Sequence, residues 1–477
     1  MLHPERLLPA DPTIRATAKT LYERVSDAPL VCPHGHCDAS WFVEDQPFPN
    51  ATDLLITPDH YVLRMLASQG ISYETLGVPR ADGSRAEVDP RAVFQFFANN
   101  YHLFAGTPSR VWLDHALYEV LGVPTRLKAE TADTVFDHVN RQLAKPRFRP
   151  RALYQSFGIE VLATTDNATD PLDAHTRLKA QGFGRIVPTF RPDALTDPCR
   201  SDFAPSMIAL AEQTGEDVTN WAGFLNALKA RRAVFLALGA TASDHGVESP
   251  LTADLPVFEC QVLLDKANAG TITSGEAKQF QAQMLTEMAA MSADDGLVMQ
   301  IHAGSRRNYA PSVFERYGRD KGYDMPGAVA WTEGLKPLLD RFGFEPNLQL
   351  VLYTLDETAY GRELAPLAGA FPTVLLGAPW WFFDSPEGMR RYRSQVIETA
   401  GFFNTAGFVD DTRAFLSIPA RHDVARRMDA GFLACLVAEH QLEIEEAEML
   451  IEALATGLVR NAYKLGEPAT EPQRQSA

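Results

Sequence analysis

His34 and His36 stand one residue apart at the end of the apolar run "LVCPHGHC", Leu30 to Cys37. Side chains alternate between the faces of a β-strand, so residues two apart point the same way. Two imidazoles on one face at a strand end can grip one divalent metal. An inert, hydrogen-bonded histidine pair has the same spacing, so other residues must decide. Further apolar runs also end in ionisable groups. "VLATTD" ends in Asp166, "RIVPTF" is followed by Arg191, and "AVFLALGAT" runs on to Asp244 and His245. "GLVMQIHAG" carries His302, and "GFVDDT" carries Asp410 and Asp411 with Arg413 behind them. Strand parity puts Asp411 with Arg413, and Asp410 with Thr412. Asp411 is the carboxylate that would complete the two histidines, although Asp410 offers the same group. Cys32 shares the parity of His34 and His36 but sits deeper, as core. Cys37 points the other way, which disfavours a Cys/His zinc cluster built from "CPHGHC". Asp166 and the Asp244-His245 pair suit helix capping as well as support for a site.

The elements that must position these groups read as strands separated by helices. Eight apolar runs, at 29–37, 161–166, 185–190, 233–241, 296–304, 348–355, 372–379 and 407–412, are nearly continuously hydrophobic. Strands buried on both faces look like this. Helical stretches such as "EAKQFQAQMLTEMAAM" intervene. The alternation predicts a parallel sheet closed into a (β/α)8 TIM barrel, whose active site lies at the C-terminal ends of the strands. A doubly wound open sheet is the alternative, but neither G-x-G-x-x-G nor G-x-x-x-x-G-K-[ST] is present. The spacing divides the chain unevenly. Residues 1–39 hold an N-terminal segment and the first strand, and 40–153 form a helical insertion on that strand's loop. Residues 154–466 hold the remaining barrel and a C-terminal amphipathic helix expected outside it, and 467–477 read as a loose tail.

Composition narrows the function classes. The 477 residues are 45% hydrophobic and 22% charged, an ordinary globular balance. A net charge of -17 argues against nucleic acid as a partner. No apolar run approaches the roughly 18 residues of a membrane span. Five cysteines without a C-x-x-C point to a reducing compartment rather than a disulfide framework. With no signal-peptide pattern at the N-terminus, the expectation is a soluble cytoplasmic enzyme. Oligomeric state is open, a homo-oligomer included.

H-x-H on the first strand, His on the fifth and Asp on the eighth resemble the amidohydrolase superfamily, and within it the uronate (glucuronate) isomerase family. The closer likeness rests on "CPHGHCD", "DHYVLR", "TTDNATD", "VPTFRPD", "ASDHGVE", "MQIHAGSRRN", "PWWFFDSPEGM" and "DDTRAFLSIPARHD" in that order. The resemblance implies a metal-dependent barrel of the amidohydrolase type. It also implies aldose–ketose isomerisation of D-glucuronate to D-fructuronate and of D-galacturonate to D-tagaturonate. By position, His34, His36 and Asp411 would be the metal ligands. His302 would stand near the site, and His60, Tyr61, Arg191 and Arg413 would contact the uronate. Trp380 and Trp381 would line the pocket, although barrel packing explains such a pair equally. Two departures from the binuclear hydrolases stand out: no lysine on the fourth run and no histidine on the sixth. They argue for one divalent metal, with zinc the first choice for two imidazoles and a carboxylate. A hydrolase of the same superfamily is the alternative function.

The implied chemistry suits these residue types. Isomerisation moves the C2 hydrogen to C1, by proton transfer through a cis-enediol or by a hydride shift. The proton route needs a base, for which Asp411 is the candidate, and donors at both oxygens, for which Tyr61 and Arg413 are candidates. Arg191 could pair the C6 carboxylate bidentately, with His60 helping. "RRNY", Arg306 to Tyr309, could reach the anion, although a solvated basic loop is the first reading.

Overall fold

The computed structural model describes residues 2–466; the tail expected at 467–477 lies outside them. The barrel begins with β1 (Leu30–Cys32), followed after a long helical stretch by β2 (Ile159–Ala163) and β3 (Asp166–Asn167). Then come β4 (Ile186–Val187), β5 (Phe190–Arg191), β6 (Ala242–Val247) and β7 (Val298–Ala303). β8 (Ser305–Arg306) and β9 (Met325–Pro326) form a small antiparallel pair in the loop after β7. β10 (Leu350–Thr354) and β11 (Val374–Leu376) complete the set.

All barrel pairings are parallel. One ladder runs β1-β2-β4, the other β11-β10-β7-β6-β5-β3. β3 continues the path of β2, and β5 that of β4, so the two ladders share two interrupted strands. An eighth segment closes the ring. Thr405 bridges Leu376, and the His36 amide donates to the Thr412 carbonyl at 3.0 Å. The architecture is a (β/α)8 barrel.

Alternation along the strands explains the packing. Val31, Val161, Ala163, Ala242, Val298 and Val351 fill the barrel interior as one cluster. Their sequence neighbours Leu30, Leu162, Met299 and Leu352 face the surrounding helices. The same two-residue period carries Asp244 and His302 inward near the C-terminal ends of β6 and β7.

Four sequence expectations need correction. The fourth apolar run, 233–241, ends the helix Trp221–Ala237 and leads into a turn at Gly239. Its buried partners Phe224, Ala227, Leu228, Arg231 and Phe235 recur at helical spacing, and the strand starts only at Ala242. The eighth run forms no ladder of its own, because left-handed backbone at Gly407 and Asp411 interrupts it. β1 stops at Cys32, and the chain turns at Pro33, so Cys32 and His34 do not share a face. Cys32 points outward to His422 (Sγ to Nε2, 3.5 Å). Finally, the C-terminal helix does not stay outside. Val459, Ala462, Tyr463 and Leu465 enter the interior cluster. Lys464 Nζ donates to the Gly296 and Asn347 carbonyls, just before β7 and β10, which places this plug at the N-terminal end of the barrel.

The stretch between β1 and β2 is helical throughout its regular structure and has its own aromatic core around Phe94, Phe97 and Phe104. One short helix in it, His60–Ala67, matters for the site. Asp59 caps it by accepting from the Tyr61 and Val62 amides, and Val62, Leu63 and Leu66 bury its inner face. His60 and Tyr61 are thereby fixed at its first turn.

Candidate active site

A cavity of about 750 Å³ opens where the strands end. Its walls come from the β1 and β7 ends, the eighth segment, the capped helix His60–Ala67 and the loop after β7. Nine described non-glycine residues have left-handed φ, and four of them line this one cavity: Asn308, Asp320, Trp381 and Asp411. Backbone held in that region costs about 1–3 kcal/mol per residue and collects where side chains must be aimed.

His34, His36 and Asp411 meet there. Asp411 Oδ1 lies 3.5 Å from His34 Nε2 and 3.0 Å from His36 Nε2. Strand parity is not what brings the two histidines together, since both lie beyond the end of β1. Asp411 is the inward carboxylate. Burial raises its pKa, but His34 and His36 outweigh that and hold it well below the usual carboxylate range. Asp410 faces the opposite way, toward His422 at 3.8 Å. Burial pushes Asp410 up to about 7 and pushes the Cys32 thiol up as well. Cys32, Asp410 and His422 also have metal-ligand spacing. They are sealed from the cavity, and these shifts favour the protonated forms, a neutral buried network. Cys37 turns to the Thr412 carbonyl, so "CPHGHC" does not converge on one point.

His302 joins the site through a second set of contacts. Its Nδ1 lies 2.6 Å from Asp244 Oδ1, leaving Nε2 buried without a partner. Its ring stacks on Tyr353 at 4.2 Å and on His34 at 4.8 Å. Burial would raise the Asp244 carboxyl, but Arg191 and His302 hold it well below its ordinary value. Arg191 lines the cavity, yet two carboxylates already engage it: Asp193 at 2.8 Å and Asp244 at 3.4 Å. Its fork is therefore partly spent before any anion arrives.

The remaining expected residues also reach the cavity. Burial pushes His60 down to about 3, so the imidazole is neutral, and its Nδ1 has no partner. Tyr61 packs edge-on against His60, and burial pushes its phenol up. Trp380 meets the His302 ring edge-on at 4.8 Å, and Trp381 lies 5.3 Å from His60. Arg413 Nη2 stands 3.3 Å from Asp320.

Three further lining residues lie outside the sequence expectation. Arg307, which reads as part of a solvated loop, pairs Asp324 at 2.8 Å and lies over Trp381. Arg421 is buried beside Asp384, with its guanidinium 3.6 Å over Trp112. Its signal is present in "DDTRAFLSIPARHD", where it follows Asp411 on the next helix. Asp320 sits in the polar stretch "RYGRDKGYD", whose composition matches any surface loop.

The donor set fits a divalent metal. His34, His36 and Asp411 offer two imidazole nitrogens and a carboxylate, all within 4.8 Å of one another. Aromatic walls, cationic side chains and an inward carboxylate together suit a small, anionic, hydroxyl-rich molecule.

Comparison with known proteins places the whole chain and its barrel among relatives. The glucuronate isomerase family matches residues 12–464. The uronate isomerase of Xanthomonas axonopodis pv. citri is 55% identical over 465 residues, covering 97% of this chain and 98% of that protein. The crystal structure of glucuronate isomerase from Caulobacter crescentus superposes with a TM-score of 0.96 at 49% identity, covering 99% of this chain and 98% of that one. That of uronate isomerase from Thermotoga maritima gives 0.90 at 29% identity, with 97% and 99% covered. With the barrel, the cavity and these likenesses in agreement, the chain belongs to the glucuronate (uronate) isomerase family.

Proposed function

We propose that this enzyme interconverts D-glucuronate with D-fructuronate and D-galacturonate with D-tagaturonate, by proton transfer through a cis-enediol. The observation that carries the reading is the inward carboxylate of Asp411 between His34 and His36, with Arg413 two residues on. Asp411 takes the proton from C2 and, once that acid proton has exchanged with solvent, delivers a proton to C1. The C2–H bond breaks, a C1–H bond forms, and the O2 proton passes to O1. Asp411 remains ionised at neutral pH, so it is ready as a base before substrate enters. Tyr61 and Arg413 donate to O1 and O2 as negative charge develops there. Tyr61 keeps its proton across the working range because burial raises its pKa. His60, being neutral, receives a hydroxyl or carboxylate oxygen without adding charge. Arg191 faces the C6 carboxylate, and Trp380 and Trp381 pack on the sugar carbons.

His34, His36 and Asp411 would hold one divalent metal, zinc by preference, whose chemistry is Lewis-acid polarisation of a substrate oxygen. The reaction needs no partner beyond the small uronate. No helix is long and apolar enough to cross a membrane, and the five cysteines are free, in keeping with a reducing, cytoplasmic setting.

The test is product identity. Purified enzyme with either uronate should yield a ketose of unchanged mass, and prolonged chelation should abolish it. A product heavier by one water, from an ester, lactone or amide, would support the hydrolase instead.

A further inference from the structure

The loop after β7 makes a strap across the cavity. Two anchors tie it to the helical stretch between β1 and β2, and one clasp within the loop closes its base. The Ala81 amide, in the helical stretch between β1 and β2, donates to the Arg316 carbonyl at 3.0 Å. The Tyr73 hydroxyl donates to the Lys321 carbonyl. Arg307 and the Asn308 amide both grip Asp324, at 2.8 and 2.7 Å. Between these anchors the chain folds tightly over the helix His60–Ala67. Gly322, at φ +82°, packs so closely that a Cβ would meet Arg64 Cβ at 2.7 Å and the His60 carbonyl at 2.8 Å. At the apex, Asp320 adopts φ +60° and sends its carboxylate into the cavity, 3.3 Å from Arg413 Nη2.

Among the described residues, Asp320 is the acidic partner of Arg413 within salt-bridge distance. Asp in left-handed backbone is strained more than Gly would be, and a strap needs only a Gly there. Arg413 has four rotatable side-chain bonds and stands at a half-exposed cavity wall, so its fork must be held to donate in one direction.

We propose that Asp320 is the positioning residue for Arg413: the strap carries one carboxylate across the cavity to fix the guanidinium beside Asp411. Arg413, Arg307, His60 and His36 all face Asp320, and although burial raises its pKa, the two guanidiniums outweigh that and keep it ionised. The strap rests on the helix that presents His60 and Tyr61. One loop therefore sets the spacing between the donors from that helix and the donor from the eighth segment. This inference rests on the isomerase reading, in which Arg413 is the donor to the reacting oxygens.

The experiment is a double-mutant cycle on the metal-loaded enzyme, with ketose formation from D-glucuronate as readout. Asp320→Asn should lower kcat by roughly 10- to 100-fold, the cost of a misplaced group about 1 Å out of register. KM should move far less, and Asp320→Glu should recover part of the loss. In an Arg413→Ala background, adding Asp320→Asn should change nothing further. Independent, multiplying effects of the two substitutions, or full kcat in Asp320→Asn, would overturn the proposal. Circular dichroism and metal content of each variant separate misfolding from misplacement. Should Asp320→Asn fail to fold, Asp320→Ser and Asp320→Glu in the same cycle distinguish coupled from independent effects equally well. Wild-type enzyme that makes no ketose would sink the isomerase reading instead, and the cycle is then read on affinity for D-gluconate, which binds as an anion but cannot isomerise.

Discussion

At Asp411, burial favours the neutral acid and two imidazoles favour the carboxylate, and the imidazoles win. Replacing it with Asn keeps the shape and removes the base. Asp411→Asn should lower kcat by roughly 10²- to 10⁴-fold, the span of general acid–base contributions. Metal content measured on the same sample separates lost chemistry from a lost ligand. Arg413→Lys should also lower kcat, by roughly tenfold or more, because a single ammonium cannot serve Asp320 and a substrate oxygen in a fixed plane. Steady-state kinetics with both uronates check this. At this scale the sequence is informative at most, not all, of the ionisable residues that end apolar runs, since Asp166 and Asp410 end such runs and do not line the cavity. His34, His36, His302, Asp411 and Arg413 all stand out that way, and all line the cavity. Asp320, Arg307 and Arg421 do not, because a strap loop and the start of a helix carry no periodic signal. Arg191 shows the limit of reading residue type alone. Its position is legible, but the carboxylates of Asp193 and Asp244 that claim its fork are not.

The elements fail as sequence signals where local preference and tertiary role part company. The run "AVFLALGAT" has strand composition, but it completes a helix whose buried face includes Arg231 and Arg232. Arg232 is hidden because it pairs Asp295 at 2.6 Å, a partner far along the chain. The C-terminal helix has an amphipathic pattern, which predicts packing but not where. Its Tyr463 reaches inside the barrel, 2.6 Å from the Tyr353 hydroxyl, and donates to Gln300 Oε1 at 2.8 Å. Tyr463→Phe would leave Gln300 and Tyr353 with an unmet buried bond. It should destabilise the fold by about 1–3 kcal/mol, read as a lower urea midpoint with an unchanged slope. Tyr353 also stacks on His302, so a modest fall in activity should accompany it. The strap offers a second element-level test. Gly322→Ala adds a methyl where Arg64 and His60 leave no room and φ is already left-handed. Activity should fall about tenfold or more while the thermal midpoint moves by only a few degrees, since the strap lies outside the barrel core.

The whole molecule should respond to acid through its buried neutral histidines. Burial pushes His175 and His245 down to about 4. Unfolded, each would titrate near its ordinary value of about 6.5. Between these two values the unfolded chain binds more protons, so stability rises with pH there and is lost as pH falls. Each group should cost on the order of 2 kcal/mol by about pH 4. Urea midpoints of the wild type should therefore fall relative to those of His175→Gln, which cannot charge, as pH is lowered across that range. Asp166, pushed up to about 7 by burial, acts with the opposite sign, its stabilising contribution being lost as pH rises toward 7. The barrel as a whole is the most legible feature of the sequence. Two-residue alternation and repeated strand–helix spacing are imposed by closing a parallel sheet, so they survive even where one run is misassigned.

The most direct test of the account is proton NMR of the metal-loaded enzyme with D-glucuronate in D₂O. Proton transfer by Asp411 predicts a ketose of D-fructuronate structure with solvent deuterium at C1, and loss of that signal in Asp411→Asn. A ketose whose C1 carries no deuterium at any extent of reaction would contradict the proton route, and no ketose from either uronate would contradict the isomerase itself.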